Sequence, residues 1–340
     1  MFFALTDEQR EFDAAVRGYL AERFDLAAVR AVVEAGPDEA DGGNPAALWQ
    51  AAAEQGWLAV LIPEEHDGLG LGLVEAQVIA RALGAGLAPI PWRGTVLAGE
   101  AIRLAGSDDQ RATWLPRLAA GAIGAFATRG QAPGSLPTVE YGGLAELVVA
   151  PAADGLVLLT DAQAEPRAGY DRTVRLADVA AGPGAPLPGA NSSVVAELTA
   201  RATVLVAADL VGIAREAVDR TVAYDIDRRQ FGVPVGSFQA VKHALADLHI
   251  AVTLAEHAAL YAAYALDAGL PDAELAVAVA KAKASDAALA ATGAMIQYHG
   301  GIGYTWEHDA HLFYKRAKRL AGQLGSADQH RARIAALTIG

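Results

Sequence analysis

The sequence predicts a mainly α-helical protein with a small β domain in the middle of the chain. Apolar residues recur at helical spacing in the first third, short β-branched runs alternate with Gly, Pro and Asp in the middle, and long Ala/Leu/Val segments follow. These observations predict an N-terminal helical bundle over residues 1–120, a short middle β domain over 121–190 and a C-terminal four-helix bundle over 191–340.

The beginning of the chain carries a helix-start signal. Thr6 is a favourable N-cap, residues 7–9 (DEQ) give an acidic first turn, and Val16 and Leu20 repeat at helical spacing. Residues 47–57 predict a second helix.

The middle and the end of the chain differ in their pattern of apolar and turn-forming residues. Residues 147–149 (LVV) and 156–159 (LVLL) predict strands because turn-forming residues separate them, and a Gly/Pro/Ala-rich linker is predicted at 180–190. The predicted C-terminal helices span residues 195–228, 238–268, 272–297 and about 306–322.

Composition limits the class of protein. Of the 340 residues, 53% are apolar and 20% charged, which is typical of a globular chain with a substantial core. The formal charge of −13 argues against nucleic acid or an anionic membrane as a general partner. The chain has no cysteine and no leader pattern, and its most apolar run, residues 204–214, is too short to span a membrane, so a cytoplasmic location is expected.

Three short motifs carry the clearest information on function. They are residues 227–232 (DRRQFG), 238–243 (FQAVKH) and 297–304 (QYHGGIGY). In this order, and on helical segments, they closely resemble the C-terminal flavin-binding half of the acyl-CoA dehydrogenase family. The N-terminal third resembles the first domain of that family in residues 5–9 (LTDEQ), 56–57 (GW), 62–65 (IPEE) and 68–70 (GLG).

The resemblance extends over nearly the whole chain and implies the same three-part architecture. It also implies FAD as the cofactor, an acyl-CoA thioester as the substrate and α,β-desaturation as the reaction. Electron-transfer flavoprotein is the electron acceptor that it implies.

A dinucleotide flavin carries a pyrophosphate, which needs a fixed cation and donors that approach closely. Arg228 offers five donors in a rigid fork, and Gly300 and Gly301 let backbone amides approach without a Cβ. Phe231 can cover a flat ring, and Gln239 can donate and accept at once. The resemblance implies contacts across a subunit interface to the adenosine–pyrophosphate half of an FAD that the neighbouring subunit mainly binds. The residues so implied are Arg228, Phe231, Gln239, Gln297, Gly300 and Gly301.

Each of these features also has a structural interpretation. Arg228 would then pair with Asp225 on a helix surface, Phe231 would lie in the core, and the two glycines would only end a helix. The ordered set of motifs favours the flavin interpretation over this alternative.

The ring-binding half of the flavin site departs from the family pattern. The family carries Thr-Glu-Pro, two more residues and then Gly-Ser-Asp, whereas this chain has TRGQAPGSL at residues 128–136. Thr128 and a shifted Gly-Ser remain, but the Glu-Pro pair and the Asp do not. The resemblance therefore implies an incomplete cradle for the isoalloxazine ring.

The catalytic base is absent from both positions where the family places it. Dehydrogenation needs a carboxylate that removes the α-proton of the thioester. The position near the C-terminus corresponds to Leu324, and the alternative position on a helix corresponds to Ala202. Neither side chain can accept a proton.

Asp209 is the remaining candidate for the base. Its helical neighbours Leu205 and Ile213 place a carboxylate on an apolar stripe, where burial would make it a better proton acceptor. The alternative is a structural Asp paired with Arg201, with Arg215 or with a backbone amide.

No metal site is predicted. His308 and His311 have an i, i+3 spacing, but no HExxH motif or acidic set accompanies them. His299, beside the Gly-Gly pair, is typical of a packing and hydrogen-bonding residue rather than an acid or base.

The chain keeps the motifs for the nucleotide half of the FAD site but lacks the motif for the ring-binding half. This combination resembles one subgroup of the family. It is the small subunit of the heterotetrameric acyl-CoA dehydrogenases of actinobacterial sterol side-chain degradation, and residues 325–331 (GSADQHR) also fit that subgroup. The resemblance implies a larger partner subunit that supplies the catalytic Glu and binds the acyl-CoA. Sterol-derived, branched and polyketide acyl thioesters remain alternatives for the substrate.

Two other interpretations stay open. One is a self-sufficient homodimer that uses Asp209 as its base. The other is a catalytically silent chain that stabilises or regulates a dehydrogenase. A flavin monooxygenase on the same fold is conceivable, but no residue argues for it.

Overall fold

The structure, a computed structural model, describes residues 4–35 and 45–339. Residues 1–3, 36–44 and 340 lie outside the described residues, and so do the outer ends of the predicted 1–120 and 191–340 domains. Helices come first, then strands, then helices. The predicted fold class, mainly α with a small β part in the middle, is confirmed.

The N-terminal helices begin where capping residues allow it. At the start of the first helix, the Gln9 N–H donates to Thr6 Oγ1 (3.2 Å) and the Thr6 N–H donates to Gln9 Oε1 (3.0 Å), which is a capping box. Ser107 and Gln110 form the same box at the start of the sixth helix. The helices are α1 (Asp7–Arg23), α2 (Leu26–Ala35), α3 (Ala46–Glu54), α4 (Leu73–Ala85), α5 (Trp92–Ala105) and α6 (Asp108–Ala119).

The strands form two small sheets. They are β1 (Gly124–Phe126), β2 (Gly134–Glu140), β3 (Leu147–Ala152), β4 (Gly155–Leu159), β5 (Gln163–Arg167), β6 (Leu176–Ala181) and β7 (Ala185–Pro186). One sheet has the order β1-β3-β4-β7, with β1 and β3 parallel, and the other has the order β2-β6-β5. Leu136, Val148, Val157 and Val179 belong to one buried cluster that both sheets share. The predicted linker at 180–190 contains the end of β6 and all of β7. Three of its alanines and one of its prolines adopt an extended backbone in these strands.

The C-terminal part consists of long helices and one short hairpin. The elements are α7 (Ser192–Asp227), β8 (Arg229–Gln230), β9 (Val233–Pro234), α8 (Gln239–Asp267), α9 (Ala273–His299), α10 (Ala310–Ala321) and α11 (Ala327–Thr338). Helix α9 packs against α8, α10 and α11. The predicted helices over 195–228, 238–268 and 272–297 correspond to α7, α8 and α9. Helix α11 was not predicted, and it begins at a capping box between Ser326 and Gln329.

Two glycines bring α4 and α7 into close contact. A Cβ on Gly212 would lie 1.9 Å from the Arg81 carbonyl oxygen, and one on Gly84 would lie 2.3 Å from the Asp209 carbonyl oxygen. Only glycine permits this approach of two helix backbones. The contact fixes where Asp209 lies on the buried side of α7.

The chain divides into two compact units. One comprises Met1–Arg30, Gln77–Ala88 and Thr203–Gly340, and the other comprises Ala31–Ala76 and Pro89–Ala202. The candidate FAD contacts, Asp209 and Leu324 belong to the first unit. Among the described residues, no helix has the length and apolar character needed to cross a membrane.

Candidate functional site

Arg228 lies at the base of a hairpin that interrupts the helical bundle. Helix α7 ends at Asp227, and the strands β8 and β9 follow as an antiparallel pair. Their two-residue loop, Phe231 and Gly232, has positive φ at both positions (52° and 81°), which is the backbone of a tight hairpin turn. The Val235 N–H donates to the Arg228 carbonyl oxygen (2.7 Å) and closes the hairpin.

The hairpin presents its functional groups to solvent. The Phe231 side chain is 93% exposed and contacts Phe238 edge-on, with ring centroids 6.3 Å apart. Within the described residues, neither a hydrogen bond nor an ion pair engages the Arg228 guanidinium. Two parts of the predicted structural alternative are therefore not observed, because Phe231 is outside the core and Arg228 does not pair with Asp225.

Asp225 lies instead in the interior, one turn before the hairpin. It is 1% exposed, and neither carboxylate oxygen has a hydrogen-bond partner in the part of the chain that the structure describes. Burial raises the pKa of Asp225 above its usual value. Gly236 packs directly on it, since a Cβ there would lie 3.1 Å from the Asp225 carbonyl oxygen.

The other candidate flavin contacts are also exposed. Gln239 is the first residue of α8, and its Nε2 lies 3.5 Å from His243 Nε2. Gln297 lies in the last turn of α9, and Gly300 ends that helix with φ 64° and ψ −140°. A Cβ on Gly300 or Gly301 would meet no atom within 4 Å, so a ligand can approach this turn closely. The Gly300 N–H already donates to the Gln297 carbonyl oxygen (3.1 Å), which leaves the Gly301 amide as the candidate donor.

A stack of rings joins the hairpin end of α7 to the end of α9. The rings of Tyr224 and His299 are stacked at 4.3 Å, and the ring of His308 lies 4.3 Å from that of His299. His299 is buried, and its Nδ1 donates to the Met295 carbonyl oxygen (2.7 Å). The structure thus brings the two groups of candidate FAD contacts together through these rings.

The loop that corresponds to the ring-binding segment folds onto itself. Gly130 has φ 82°, and a Cβ there would lie 2.2 Å from the Ser135 carbonyl oxygen. Thr128 and Ser135 are exposed. Residues 129–130, which are predicted to correspond to the family's Glu-Pro pair, are Arg and Gly.

Asp209 forms a buried ion pair with Arg316. The Arg316 Nε donates to Asp209 Oδ1 (3.2 Å) and Nη2 donates to Oδ2 (3.0 Å), while Nη1 donates to the Ala88 carbonyl oxygen (3.1 Å). Both side chains are less than a tenth exposed. The carboxylate of Asp209 is thus part of a structural ion pair, although with neither of the two arginines predicted.

The predicted partners of Asp209 are engaged elsewhere. Arg201 pairs with Glu100 (3.2 Å) and Glu197 (3.1 Å). Arg215 pairs with Glu256 (2.7 Å). The two positions predicted to correspond to the family carboxylate hold Ala202, which is fully buried in α7, and Leu324, which has φ 55° in the turn between α10 and α11.

Two buried charged residues, Arg316 and Lys281, were not predicted from the sequence. For Arg316, its charge on the buried side of α10 was the available signal. Lys281 is fully buried in an alanine-rich stretch of α9, and a lone lysine among alanines was the signal there. Across residues 4–35 and 45–339, no group of three or more His, Asp or Glu could hold a metal ion.

Comparison with known proteins identifies the family. The family model described as "Acyl-CoA dehydrogenase, N-terminal domain" matches residues 6–122, and the one described as "Acyl-CoA dehydrogenase, C-terminal domain" matches residues 193–338. The chain belongs to the acyl-CoA dehydrogenase family. The prediction of an oxidoreductase of this family is confirmed.

The relatives include mycobacterial proteins of the same length. Acyl-CoA dehydrogenase IpdE2 of Mycolicibacterium smegmatis is 34% identical over 336 residues, covering 98% of this chain and 99% of that protein. IpdE2 of Mycobacterium tuberculosis is 36% identical and covers 94% of each chain. Acyl-CoA dehydrogenase FadE34 of Mycobacterium tuberculosis is 34% identical, covering 99% of this chain but 49% of that protein.

Solved structures share the fold. A variant of the "Tcur3481-Tcur3483 steroid ACAD" superposes with a TM-score of 0.88 at 27% identity, covering 98% of each chain. The ChsE4–ChsE5 complex from Mycobacterium tuberculosis gives a TM-score of 0.90 at 23% identity, covering 99% of this chain and 98% of that chain. At that identity, the second comparison shows the fold alone.

Proposed function

We propose that this chain is one subunit of an FAD-dependent acyl-CoA dehydrogenase that acts with a fuller partner subunit. The chain holds the adenosine–pyrophosphate half of FAD. The partner holds the flavin ring and the acyl-CoA, and it supplies the carboxylate that removes the α-proton. The electron acceptor of the assembly is electron-transfer flavoprotein.

The exposure of the nucleotide-binding set carries this proposal. All six candidate contacts are exposed in the single chain, and the Arg228 guanidinium has no protein partner among the described residues. An unpaired guanidinium fits a pyrophosphate because its fork gives charge-assisted hydrogen bonds to phosphate oxygens. Gly301 adds an amide, neither Gly300 nor Gly301 has a Cβ that would block the approach, and Phe231 adds an aromatic face.

The candidate positions for the base support the need for a partner. When bound, FAD supplies the acceptor for the hydride that leaves the β-carbon. This chain offers no carboxylate at position 202 or 324, and the oxygens of Asp209 are engaged by Arg316. A self-sufficient homodimer with Asp209 as base is therefore the weaker proposal.

The relatives support an assembly of two different subunits. The name of the solved relative at 27% identity joins two proteins in one steroid dehydrogenase. In FadE34, the region similar to this chain makes up about half of a longer polypeptide, as expected for a unit that works beside a second unit. A steroid-derived acyl-CoA is the substrate class that these names favour.

The test compares two neighbouring arginines in the assembled complex. The chain is co-produced with a partner acyl-CoA dehydrogenase subunit, and flavin content is measured by absorbance. Arg228→Ala should weaken FAD binding about 10- to 100-fold, since a charged hydrogen bond contributes about 1.5–3 kcal/mol. Arg229→Ala, which removes an equally exposed guanidinium, should leave the flavin content near that of the natural sequence.

Three outcomes would contradict the proposal. Equal losses for both variants would indicate general electrostatic attraction. Unchanged flavin content in both would indicate a silent scaffold. Stoichiometric flavin and full activity in the chain purified alone would remove the need for a partner.

A further inference from the structure

The two groups of candidate FAD contacts are joined by a short chain of contacts. The Arg228 N–H donates to the Tyr224 carbonyl oxygen (2.8 Å). The Tyr224 ring stacks on His299 with an angle of 24° between the planes. His299 directly precedes Gly300. The hairpin and the glycine turn are therefore linked through this aromatic stack and through the Tyr224 hydroxyl, which donates to the His299 carbonyl oxygen (3.4 Å).

Hydrogen bonds define the form of the two imidazoles. His299 Nδ1 carries a hydrogen, because it donates to the Met295 carbonyl oxygen (2.7 Å). His308 Nδ1 is an acceptor, because the Ala310 N–H donates to it (3.1 Å) at the start of α10. These bonds fit two neutral rings. His299 bonds to the backbone of α9, and His308 bonds to the backbone at the start of α10.

The charged surroundings disfavour a proton on either ring. Burial lowers the pKa of both His299 and His308, and the Arg220 guanidinium on α7 lowers both further. Arg30 on α2 also lowers the pKa of His308, whereas the neighbouring Asp309 raises it. Arg30 itself donates to Asp309 Oδ1 (2.6 Å). No charged group of α8 contributes to either shift among the described residues.

The geometry points to His299 and His308 as positioning residues that hold the Arg228 hairpin and the Gly300–Gly301 turn in one register only while both rings are neutral. Protonation of either ring places positive charge against Arg220 and against the other ring at 4.3 Å. The stack then separates, and the Arg228 hairpin and the Gly300–Gly301 turn no longer keep fixed positions relative to each other. The inference rests on the proposed function for its ligand, the pyrophosphate of FAD.

The direction of the pH dependence follows from the lowered pKa values. Between the ordinary value of 6.5 and the lower folded value, the unfolded chain binds more protons than the folded chain. Stability contributed by the neutral rings is therefore present at neutral pH and is lost as the pH falls below about 6.5. Flavin should leave the complex over the same range.

The first experiment measures flavin release from the loaded complex at about pH 7.5 and about pH 5.5 by flavin fluorescence. The natural chain should bind FAD more weakly at the lower pH, because protonation of the rings opposes the bound arrangement. The variant His299→Phe/His308→Asn should lose this pH difference, whatever its affinity at the higher pH. Phe keeps the ring stack on Tyr224, and Asn keeps an acceptor for the Ala310 N–H.

His257 provides a matched control on α8. Its Nδ1 makes the same bond to the carbonyl oxygen four residues earlier, that of Thr253 (2.8 Å), but the side chain is exposed. His257→Phe should leave the pH difference unchanged. If the double variant at 299 and 308 releases flavin on acidification as the natural chain does, the inference is overturned.

A second measurement separates this inference from the proposed function. Hydrogen exchange of residues 297–309, corrected for the intrinsic pH effect, is compared in the full chain without flavin at the same two pH values. Exchange should quicken at low pH in the natural chain and not in the double variant. A complex that binds no flavin at any pH would refute the proposed function alone, whereas exchange that does not respond to pH would refute the inference alone.

Discussion

Asp209 on α7 and Arg316 on α10 form a two-point ion pair in the interior, with nitrogen–oxygen distances of 3.2 and 3.0 Å. They are 107 positions apart in the chain. A third donor of the same guanidinium binds the Ala88 carbonyl oxygen, so Arg316 holds together the α7 helix, the α10 helix and the segment after α4. Asp209 is the carboxylate that sequence analysis considered as a base, and its environment is that of a structural residue.

Removal of Arg316 alone, and of both partners together, tests the role of Asp209. Arg316→Met should destabilise the chain by about 3–5 kcal/mol, because it leaves a buried charge without compensation. The double variant Asp209→Leu/Arg316→Met should recover much of this loss, since a buried ion pair replaced by apolar side chains is often neutral in stability. Chemical denaturation of each protein measures the difference.

Activity of the assembled complex then decides between the two interpretations of Asp209. If the double variant is folded and retains dehydrogenase activity with the partner subunit, Asp209 is not the base. A folded double variant without activity, but with normal flavin content, would restore Asp209 as the proton acceptor.

Gly300 and Gly301 should respond differently to alanine. Gly300 has φ 64° and ψ −140°, a conformation that costs an alanine about 1–3 kcal/mol, whereas Gly301 has φ −55° and ψ −40°, which any residue adopts. Gly300→Ala should therefore lower thermal stability. Gly301→Ala should leave stability unchanged, because its Cβ meets no atom of this chain within 4 Å.

The same pair of variants reports on the approach of a phosphate. If the Gly301 amide faces the FAD pyrophosphate, the added methyl group should reduce flavin content in the complex even though the fold is intact. Full flavin content in Gly301→Ala would place the pyrophosphate elsewhere.

Much of the fold could be predicted from local sequence signals. The Thr6 cap, the apolar runs of β3 and β4, and the Ala/Leu/Val segments of α7 to α9 each give a periodicity or a start signal that needs no knowledge of the rest of the chain. Helix α11 was missed because none of its residues is buried, so it lacks an apolar face.

The site was predictable only in part, because pairing in three dimensions is not a local property. Arg201 and Arg215 were predicted as partners for Asp209 because they lie on its own helix. The actual partner, Arg316, comes from α10, and Arg215 is used by Glu256 on α8. The exposure of Phe231 and the burial of Asp225 likewise depend on how the hairpin and the following turn pack.

Lys281 should stabilise the turn between α10 and α11. Its Nζ donates to Ser285 Oγ (3.1 Å) and to the carbonyl oxygens of Ala321 (3.1 Å) and Gly325 (2.9 Å). Lys281→Met removes all three donors, so we expect a loss of about 1–3 kcal/mol at neutral pH from the unpaired carbonyl groups. Lys283→Met, an exposed change on the same helix, is the control.

The pH dependence of that difference has a defined sign. Burial lowers the pKa of Lys281 to about 8 from 10.5. Between these values the unfolded chain binds more protons, so the natural chain gains stability relative to Lys281→Met as the pH rises from about 8 to about 10.5. Denaturation at several pH values measures this, and a difference that shrinks over this range would show that Lys281 is not the group responsible.

Asp225 should be a source of instability at neutral pH. Its carboxylate is buried and has no hydrogen-bond partner among the described residues, and burial raises its pKa above the ordinary 3.8. The folded state therefore favours the protonated form, and the stability associated with that form is present below about pH 3.8 and lost as the pH rises through the folded pKa. Asp225→Asn keeps the shape and removes the charge.

We expect Asp225→Asn to melt at a higher temperature than the natural chain at about pH 8, by about 2–4 °C for each kcal/mol recovered. The two melting temperatures should converge as the pH is lowered, because the natural side chain then becomes neutral as well. Asp227→Asn, an exposed change two residues later, is the matched control and should give no such convergence. Equal melting temperatures for Asp225→Asn and the natural chain at every pH would mean that Asp225 is ionised at no cost, and that a cation or a solvent molecule reaches it at the base of the hairpin.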